Sequence, residues 1–482
     1  MHKLTKIVAT VGPATESSEK ILELIKAGVD VFRLNFKHNS PDWHSQMINK
    51  IRKVQKQINQ EVGVLLDLQG EEIRMNLLAD FYEIKQGDIL EFVDDPRTVE
   101  GKEGKFFYFS HPEVKDFVHK GDLVIIDDGR FKFNVDFKSG SLVLVSCSDG
   151  VLSDRKTVSL PDSDFSFGRI LERDLEGITI AVNQKVDFLA VSFVKTAEDI
   201  KRIMSEISAI GSSNGFCLPI AKLETKQAIK NLPSILDCSF GVMVARGDLA
   251  VETSLEEMPY LQKKIIRSAI LETKPVITAT QMLESMTANS FPTRAEISDV
   301  ANAVYDYTDA VMLSNETAIG KYPVETVEIM SRILKYNEKK NKGDIRKVYD
   351  FQLSDQEEIV VNSAYDMYLS LREKKFNVKG FLVFTHTGRT ARLLSRYRSN
   401  IPIFAFSPFL SVVRGLILSY GVFPFEYHPL AEKRPISVND INKAVDILKS
   451  YQLVSKGDKL ICLHGDVLAV QGGTNTVRLV SV

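Results

Sequence analysis

The chain has 482 residues, 44% of them hydrophobic and 26% charged, with 61 Lys and Arg against 63 Asp and Glu for a formal net charge of −2. That length holds about three domains, or one large barrel with additions, and the balanced charge exerts no global pull towards nucleic acid or a membrane, so partners must be read from local sites. Cys147, Cys217, Cys238 and Cys462 lack a CxxC pair or a His at zinc-ligand spacing, which argues for buried free thiols in a reducing compartment; no segment approaches the roughly 18 apolar residues of a membrane span, and a cytoplasmic protein is expected.

Lys6 to Gly12 reads as a first strand, and Ser17-Ser18-Glu19 opens a helix that ends at Gly28. Val29 to Phe36 is a second strand, with Arg33, Asn35, Lys37 and His38 at its C-terminal end, more polar groups than capping needs. A helix from about Trp43 to Gln57 leads to a third strand, Val62 to Asp67, which delivers Asp67, Glu72 and Arg74. From Met75 to Thr157 short alternating runs such as Ile89 to Val93 and Leu123 to Ile126 are broken by Gly and Asp turns, the pattern of an inserted small β-barrel or sandwich. An insertion after a barrel strand forms a lid over the rim. Its polar landmarks are Asp127-Asp128-Gly129, read as a solvated turn, and Arg155-Lys156.

Strand and helix periods then resume with Asp187 to Phe193, the run ending in Lys222 and Glu224, the run ending in Arg246-Gly247-Asp248, Lys274 to Thr280, and Asp309 to Glu316. With the first three strands this makes eight, and helices such as Ala197 to Ile210 and Pro323 to Asn337 fall between or after them. The fold class expected is α/β: a (β/α)8 barrel with an inserted β lid and a C-terminal open α/β sheet, with its chemistry at the C-terminal rim of the barrel. The domains are read as 1–72 and 158–340 for the barrel, 73–157 for the lid and 341–482 for the last domain, with a charged linker over 338–347. In that last domain Thr385-His386-Thr387-Gly388-Arg389-Thr390 joins a strand to a helix, a phosphate-cradle pattern.

The rim collects three cations (Arg33, Arg74, Lys222), two carboxylates suited to a hard metal (Glu224, Asp248) and hydroxyls (Ser192, Thr280, Ser314). Each residue alone is explained by helix capping; the repetition strand after strand is not. Mg²⁺ or Mn²⁺ takes one or two carboxylates plus phosphate oxygens and waters, and cations around a phosphoryl group are what its transfer needs. No nucleophile motif stands out.

These residues resemble the pyruvate kinase family along nearly the whole chain. The resemblance rests on Thr5 to Ala14, Arg33 to Phe36, Met243 to Leu249, Ala279 to Met286 and Pro292 to Glu296. It implies a glycolytic phosphotransferase moving phosphate from phosphoenolpyruvate to ADP, and a homotetramer. By motif, Lys222 would stabilise the phosphoryl group in flight, Glu224 and Asp248 would hold the divalent ion, and Arg33 would contact the substrate phosphate. Gly247, Asp248 and Thr280 would meet the substrate carboxylate, Ser314 and Glu316 would belong to a proton relay, and Asn35, His38, Arg74 and Lys156 would serve the nucleotide. Trp43 would pack near the adenine or in the helix interface.

The sequence departs from the family pattern at Lys37, where a Ser is usual. That Ser is a ligand of an activating K⁺ beside the positions of Asn35, Asp67 and the Leu68 carbonyl, so a Lys ammonium there is expected to replace the ion. Leu68-Gln69 resembles K⁺-independent members, whereas Glu72 resembles dependent ones. Glu71 replaces a usual Pro at the lid hinge, and Asn315 and Ala250 replace Gly. The 385–390 loop resembles an effector-phosphate site; the later loop, Gly465 to Thr474, lacks the Trp and Arg that grip a bisphosphate, so a monophosphorylated sugar or nucleotide is the expected effector. Two other readings remain at this stage: a catalytically weak metabolite-binding regulator, and a Mg²⁺-dependent barrel lyase or aldolase, which leaves the lid with Lys156 unexplained.

Overall fold

The structure, a computed structural model, describes residues 3–70, 72–163, 165, 168–211, 215–341, 343–467 and 472–482. The expectations for Glu71 and for Leu468 to Gln471 lie outside these residues. Among the described residues eight parallel strands close a barrel, seven strands close a second and smaller barrel, and five form an open sheet near the C-terminus.

The large barrel runs through Lys6–Thr10, Val31–Asn35, Gly63–Asp67, Phe188–Val191, Leu218–Leu223, Gly241–Ala245, Val276–Ala279 and Ala310–Leu313. Each strand pairs with its neighbours in parallel, and the first pairs with the last through Lys6 opposite Ala310. The strands are almost continuously apolar because both faces are covered: helices such as Ser18–Ala27 and Pro323–Lys340 lie outside, and the interior is packed with Val8, Val31, Leu65, Phe188, Ile220, Met243, Ile277 and Met312. Ile417 and Leu418 of the C-terminal domain join that interior cluster, so the floor of the barrel is plugged and the opposite rim is left for chemistry.

Local sequence fixes the helix ends. Ser17 caps the first helix by accepting from the Lys20 N–H, and Gly28 ends it at φ 123°, a conformation a Cβ would strain. In Pro292-Thr293-Arg294-Ala295-Glu296, Thr293 accepts from the Glu296 N–H and the Glu296 carboxylate accepts from the Thr293 N–H, a capping box. The last outer helix runs on to Lys340, which corrects the linker expected from residue 338: Glu338 is buried and accepts from the backbone N–H groups of Leu4 (3.0 Å) and Thr5 (2.7 Å).

The small barrel carries strands between Ile73–Leu77 and Lys156–Ser159, with its own core of Phe107, Phe109, Phe133, Leu144 and neighbours. Its last strand, Lys156–Ser159, pairs back onto Ile73–Leu77, so both connections to the large barrel leave from one place and the lid hangs beside the rim. Cys147 is exposed there, at the end of Ser141–Ser146, against the expectation of a buried thiol; Cys217 and Cys462 are buried. The open sheet has the order Val422–Glu426, Ile403–Ser407, Val378–Phe384, Lys459–Gly465, Thr474–Ser481, and its domain is riveted to the barrel floor by Arg398, whose guanidinium donates to both Asp309 oxygens (2.9 and 2.7 Å).

Candidate active site

At the C-terminal rim the strands end in charge, and the charges meet. Arg33 donates through Nε to Asp67 Oδ2 at 2.7 Å and through Nη1 to Thr10 Oγ1 at 3.1 Å. Lys222 Nζ lies 2.9 Å from Glu224 Oε1, 3.3 Å from Asp67 Oδ1 and 2.8 Å from Ser192 Oγ. Burial alone would lower the ammonium's pKa, but Asp67 and Glu224 overcome it and raise it. Asp67 is fully buried, and although burial favours its neutral form, Lys222 and Arg33 hold it below the usual carboxylate range. The site therefore keeps two fixed cations on one anchored carboxylate.

Glu224 is buried and its Oε2 accepts the Phe193 N–H at 2.6 Å. Burial, with Asp248 adding negative charge, pushes its carboxyl up to about 7 despite Lys222. Asp248 stands in the first turn of Arg246–Glu252 and faces the open cavity; the protein around it, with the charges of Asp128 and Asp67, raises its pKa as well. Two hard oxygen donors of which one is buried, both held above their ordinary range, are a pair that a divalent cation would relieve, so the donor set fits Mg²⁺ or Mn²⁺.

Thr280 sits beside this pair at φ 66°, followed by Gln281 at φ 54°. Its hydroxyl accepts the Gly247 N–H (3.0 Å) and donates to Ala279 O (2.7 Å). Two consecutive non-glycine residues in the left-handed region cost of order 1–3 kcal/mol each, and Arg246 holds the turn: its guanidinium donates to Ala279 O, Thr280 O and Asp299 Oδ2. Arg246 is a positioning residue that the sequence reading quoted within a motif without assigning it work. The signal available was a cation one residue before the rim glycine.

Between rim and lid lies a cavity of about 680 Å³ whose walls include Lys37, Glu72, Arg74, Asp127, Lys156 and Asp248. Lys156 pairs with Asp127 at 2.9 Å, and Asp127 and Asp128 adopt φ 56° and 54°. The Asp127-Asp128-Gly129 turn, expected to be merely solvated, thus forms part of the cavity wall. Arg74 donates to Glu72 (2.8 Å) and to Arg155 O (3.0 Å), tying the two strands that carry the lid. On the far side Ser159 donates to Glu252, a second lid contact without a sequence signal.

Three expected placements need correction. Lys37 does not enter the Asn35, Asp67 and Leu68 position; its ammonium pairs with Glu72 at the cavity wall. Asp67 Oδ1, in turn, faces the Lys222 ammonium at 3.3 Å. Glu316 does not face the cavity: it is fully buried and accepts from the backbone N–H groups of Ser314 (2.7 Å) and Leu283 (3.1 Å), so it positions Ser314. In the C-terminal loop, Arg389 is drawn out of the cradle by Asp355, Glu357 and Glu358, and the Thr390 hydroxyl donates to Glu357 Oε1. A buried carboxylate already occupies the two strongest phosphate donors, leaving a cavity of about 40 Å³ beside Thr385, His386 and Thr387. Trp43 packs edge-on against His44 and donates to Glu16, the helix-interface alternative. Asn35 accepts the Lys37 N–H, and His38 is exposed.

The model of the pyruvate kinase barrel domain matches residues 2–327 and that of the pyruvate kinase alpha/beta domain residues 367–480. Pyruvate kinase 2 of Synechocystis sp. is 38% identical over 486 residues, 99% of this chain and 79% of that protein. The pyruvate kinase of Thermotoga maritima is 37% identical over 484 residues, covering 99% of both chains. The crystal structure of a pyruvate kinase from Cryptosporidium parvum superposes with a TM-score of 0.89 at 32% identity, over 99% of this chain and 96% of that one.

Proposed function

The chain belongs to the pyruvate kinase family, and from that membership and the rim geometry we propose that it transfers the phosphoryl group of phosphoenolpyruvate to ADP, giving pyruvate and ATP. The observation that carries the reading is Lys222, an ammonium locked by Asp67, Glu224 and Ser192 beneath a lid-covered cavity. A charge fixed before the reaction costs no reorganisation when negative charge spreads over the equatorial oxygens.

Arg33, anchored on Asp67, donates to the substrate phosphate, and Lys222 meets the group as it moves. The Asp248 N–H, at the start of Arg246–Glu252, receives the substrate carboxylate, joined by the Gly247 N–H once it turns from the Thr280 hydroxyl it now meets. Glu224 and Asp248 would hold Mg²⁺ or Mn²⁺, which when bound supplies charge neutralisation at the phosphoryl oxygens. Thr280 and Ser314 carry the hydroxyls of a proton relay to the enolate, with Glu316 fixing Ser314. Asn35, His38, Arg74 and Lys156 bind the nucleotide, the last two from neighbouring paired strands at the cavity wall. The lid contributes Lys156 and excludes water.

Lys37 supplies the monovalent charge from its place on Glu72; it is among the cations that draw the Asp248 pKa down. Control by a phosphorylated sugar or nucleotide at Thr385, His386, Thr387, Gly388, Arg389 and Thr390 requires Arg389 and Thr390 to leave Glu357 first. A homotetramer is proposed from the family; exposed Leu255, Tyr260 and Phe291 supply apolar surface for it.

The test is pyruvate formation from phosphoenolpyruvate with Mg²⁺, with and without ADP. Turnover that needs ADP supports the kinase; pyruvate released without ADP, its phosphoryl group passing to water as phosphate, is hydrolysis and refutes the transfer, and no turnover with or without ADP points to a binding protein or to a lyase with another substrate.

A further inference from the structure

A second, smaller cavity lies away from the rim, at the barrel floor, where Thr273-Lys274-Pro275 and Asp309 of the barrel meet the helix Arg389–Ser395 and the residues after it. It is about 10 Å³, the room one water needs, so a monatomic anion enters it only as the long Arg and Lys side chains of the lining give way slightly. Oxyanions, sugars and nucleotides do not fit.

Its lining is cationic. Arg398 is spent on Asp309, which also accepts from the N–H groups of Tyr420 and Val276, so that carboxylate is saturated. Arg396 is not. It is 4% exposed, and its faces are covered by the rings of Phe351 (4.8 Å) and Tyr397 (5.6 Å). Its Nη1 reaches Thr273 Oγ1 at 3.4 Å and lies 3.7 Å from Glu358. Its Nε and Nη2 make no hydrogen bond among the described residues, and neither does the hydroxyl of buried Ser419, which also lines the cavity. Aromatic faces stabilise the charge of a guanidinium but leave its N–H edge unsatisfied, and an unmet donor of a charged group in a buried place is costly.

The two other cations at the cavity gain little nearby. Lys274 donates to the Ser239 carbonyl at 2.8 Å, and Arg392 lies over Phe240 at 5.4 Å with a 3.4 Å contact to Thr387 O. Burial and Arg389 push the Arg392 pKa down to about 10 despite Glu357, and burial and Arg392 lower that of Lys274 despite Asp237 and Glu272, so nearby carboxylates do not fully offset these charges.

We infer that this cavity is a binding site for one halide ion, chloride under ordinary conditions, held by the Arg396 N–H edge and the Ser419 hydroxyl with Lys274 and Arg392 supplying charge. The ion's ligands, Arg396 and Ser419, belong to the C-terminal domain, and the barrel floor contributes the charge of Lys274, so the ion links the two by electrostatics.

Crystals soaked in bromide give the direct test. An anomalous peak within hydrogen-bond reach of Arg396 Nη2 is the expected result; bromide peaks elsewhere with water in this cavity overturn the site. In solution, the melting temperature at constant ionic strength is expected to be about 2–4 °C higher in chloride than in gluconate. That difference should vanish in Arg396→Met and in Lys274→Met, the second serving if the first does not fold. A chloride effect that survives undiminished in the variant also overturns the inference, as does a wild type indifferent to the anion. Pyruvate kinase turnover is not the readout, so the outcome is independent of the activity assigned to the rim.

Discussion

Replacing Lys222 by methionine keeps the length of the side chain and removes its charge. The ammonium does two things in this site: it offsets Glu224 at 2.9 Å and Asp67 at 3.3 Å, and it presents a fixed positive charge to the group being transferred. Loss of one preorganised donor of this kind costs about 2.7–4 kcal/mol of transition-state stabilisation, or ~10²–10³ in kcat. The fold is expected to survive. Asp67 keeps Arg33 at 2.7 Å, and Glu224, already pushed up to about 7 with Lys222 in place, takes up a proton once that cation is gone. The assay is steady-state pyruvate formation at saturating phosphoenolpyruvate, ADP and Mg²⁺, with a melting curve to confirm that the variant is folded. A folded Lys222→Met with kcat within tenfold of wild type would refute the role given to the ammonium.

Arg246→Leu leaves the Thr280–Gln281 turn without its clamp, and kcat should fall by about 10²-fold with the KM for ADP unchanged, Arg246→Lys recovering part of it; an equal rise in both KM values would contradict a positioning role. Lys6, fully buried against Val422 O, has its pKa lowered to about 8 by burial. An unfolded lysine titrates near 10.5, so between pH 8 and 10.5 the unfolded chain holds a proton that the folded one lacks, and stability gains from this group as pH rises through that window. Melting temperatures of wild type and Lys6→Met across pH 7–10.5 should therefore diverge in favour of wild type above pH 8; parallel curves would disprove the shift. Lys37→Ser should make turnover fall when K⁺ is replaced by tetramethylammonium, whereas wild type holds its rate; loss of rate in wild type would remove Lys37 as the monovalent charge. Sugar or nucleotide monophosphates should shift the KM for phosphoenolpyruvate at lower concentration in Glu357→Ala, which frees Arg389 and Thr390, than in wild type; equal half-effective concentrations in the two would remove Glu357 as the latch.

The barrel was legible because a buried parallel strand has to be apolar on both faces and must shed its charge where it ends; that rule picked out Arg33, Asp67, Lys222, Glu224 and Asp248 one strand at a time. What the rule does not contain is direction. Lys37, Arg74 and Arg389 carry long chains whose charged ends settle on the nearest free carboxylate, and those carboxylates, Glu72 for the first two and Glu357 for the third, are near in space only after folding. Glu316 misled for the opposite reason. Its position two residues past Ser314 puts it at the rim in sequence, but the two backbone N–H groups it accepts, of which Leu283 is 33 residues away, turn it inward. The lid shows the same division: its alternation and turns announced a small closed β structure, while the placement of Asp127 and Asp128 in the cavity wall depended on how that structure hangs from Arg74 and Lys156. Strand chemistry is thus written locally, and the pairing of flexible charges is written in the tertiary fold, which is why the rim could be assembled from the sequence and the partners of its lysines and arginines could not.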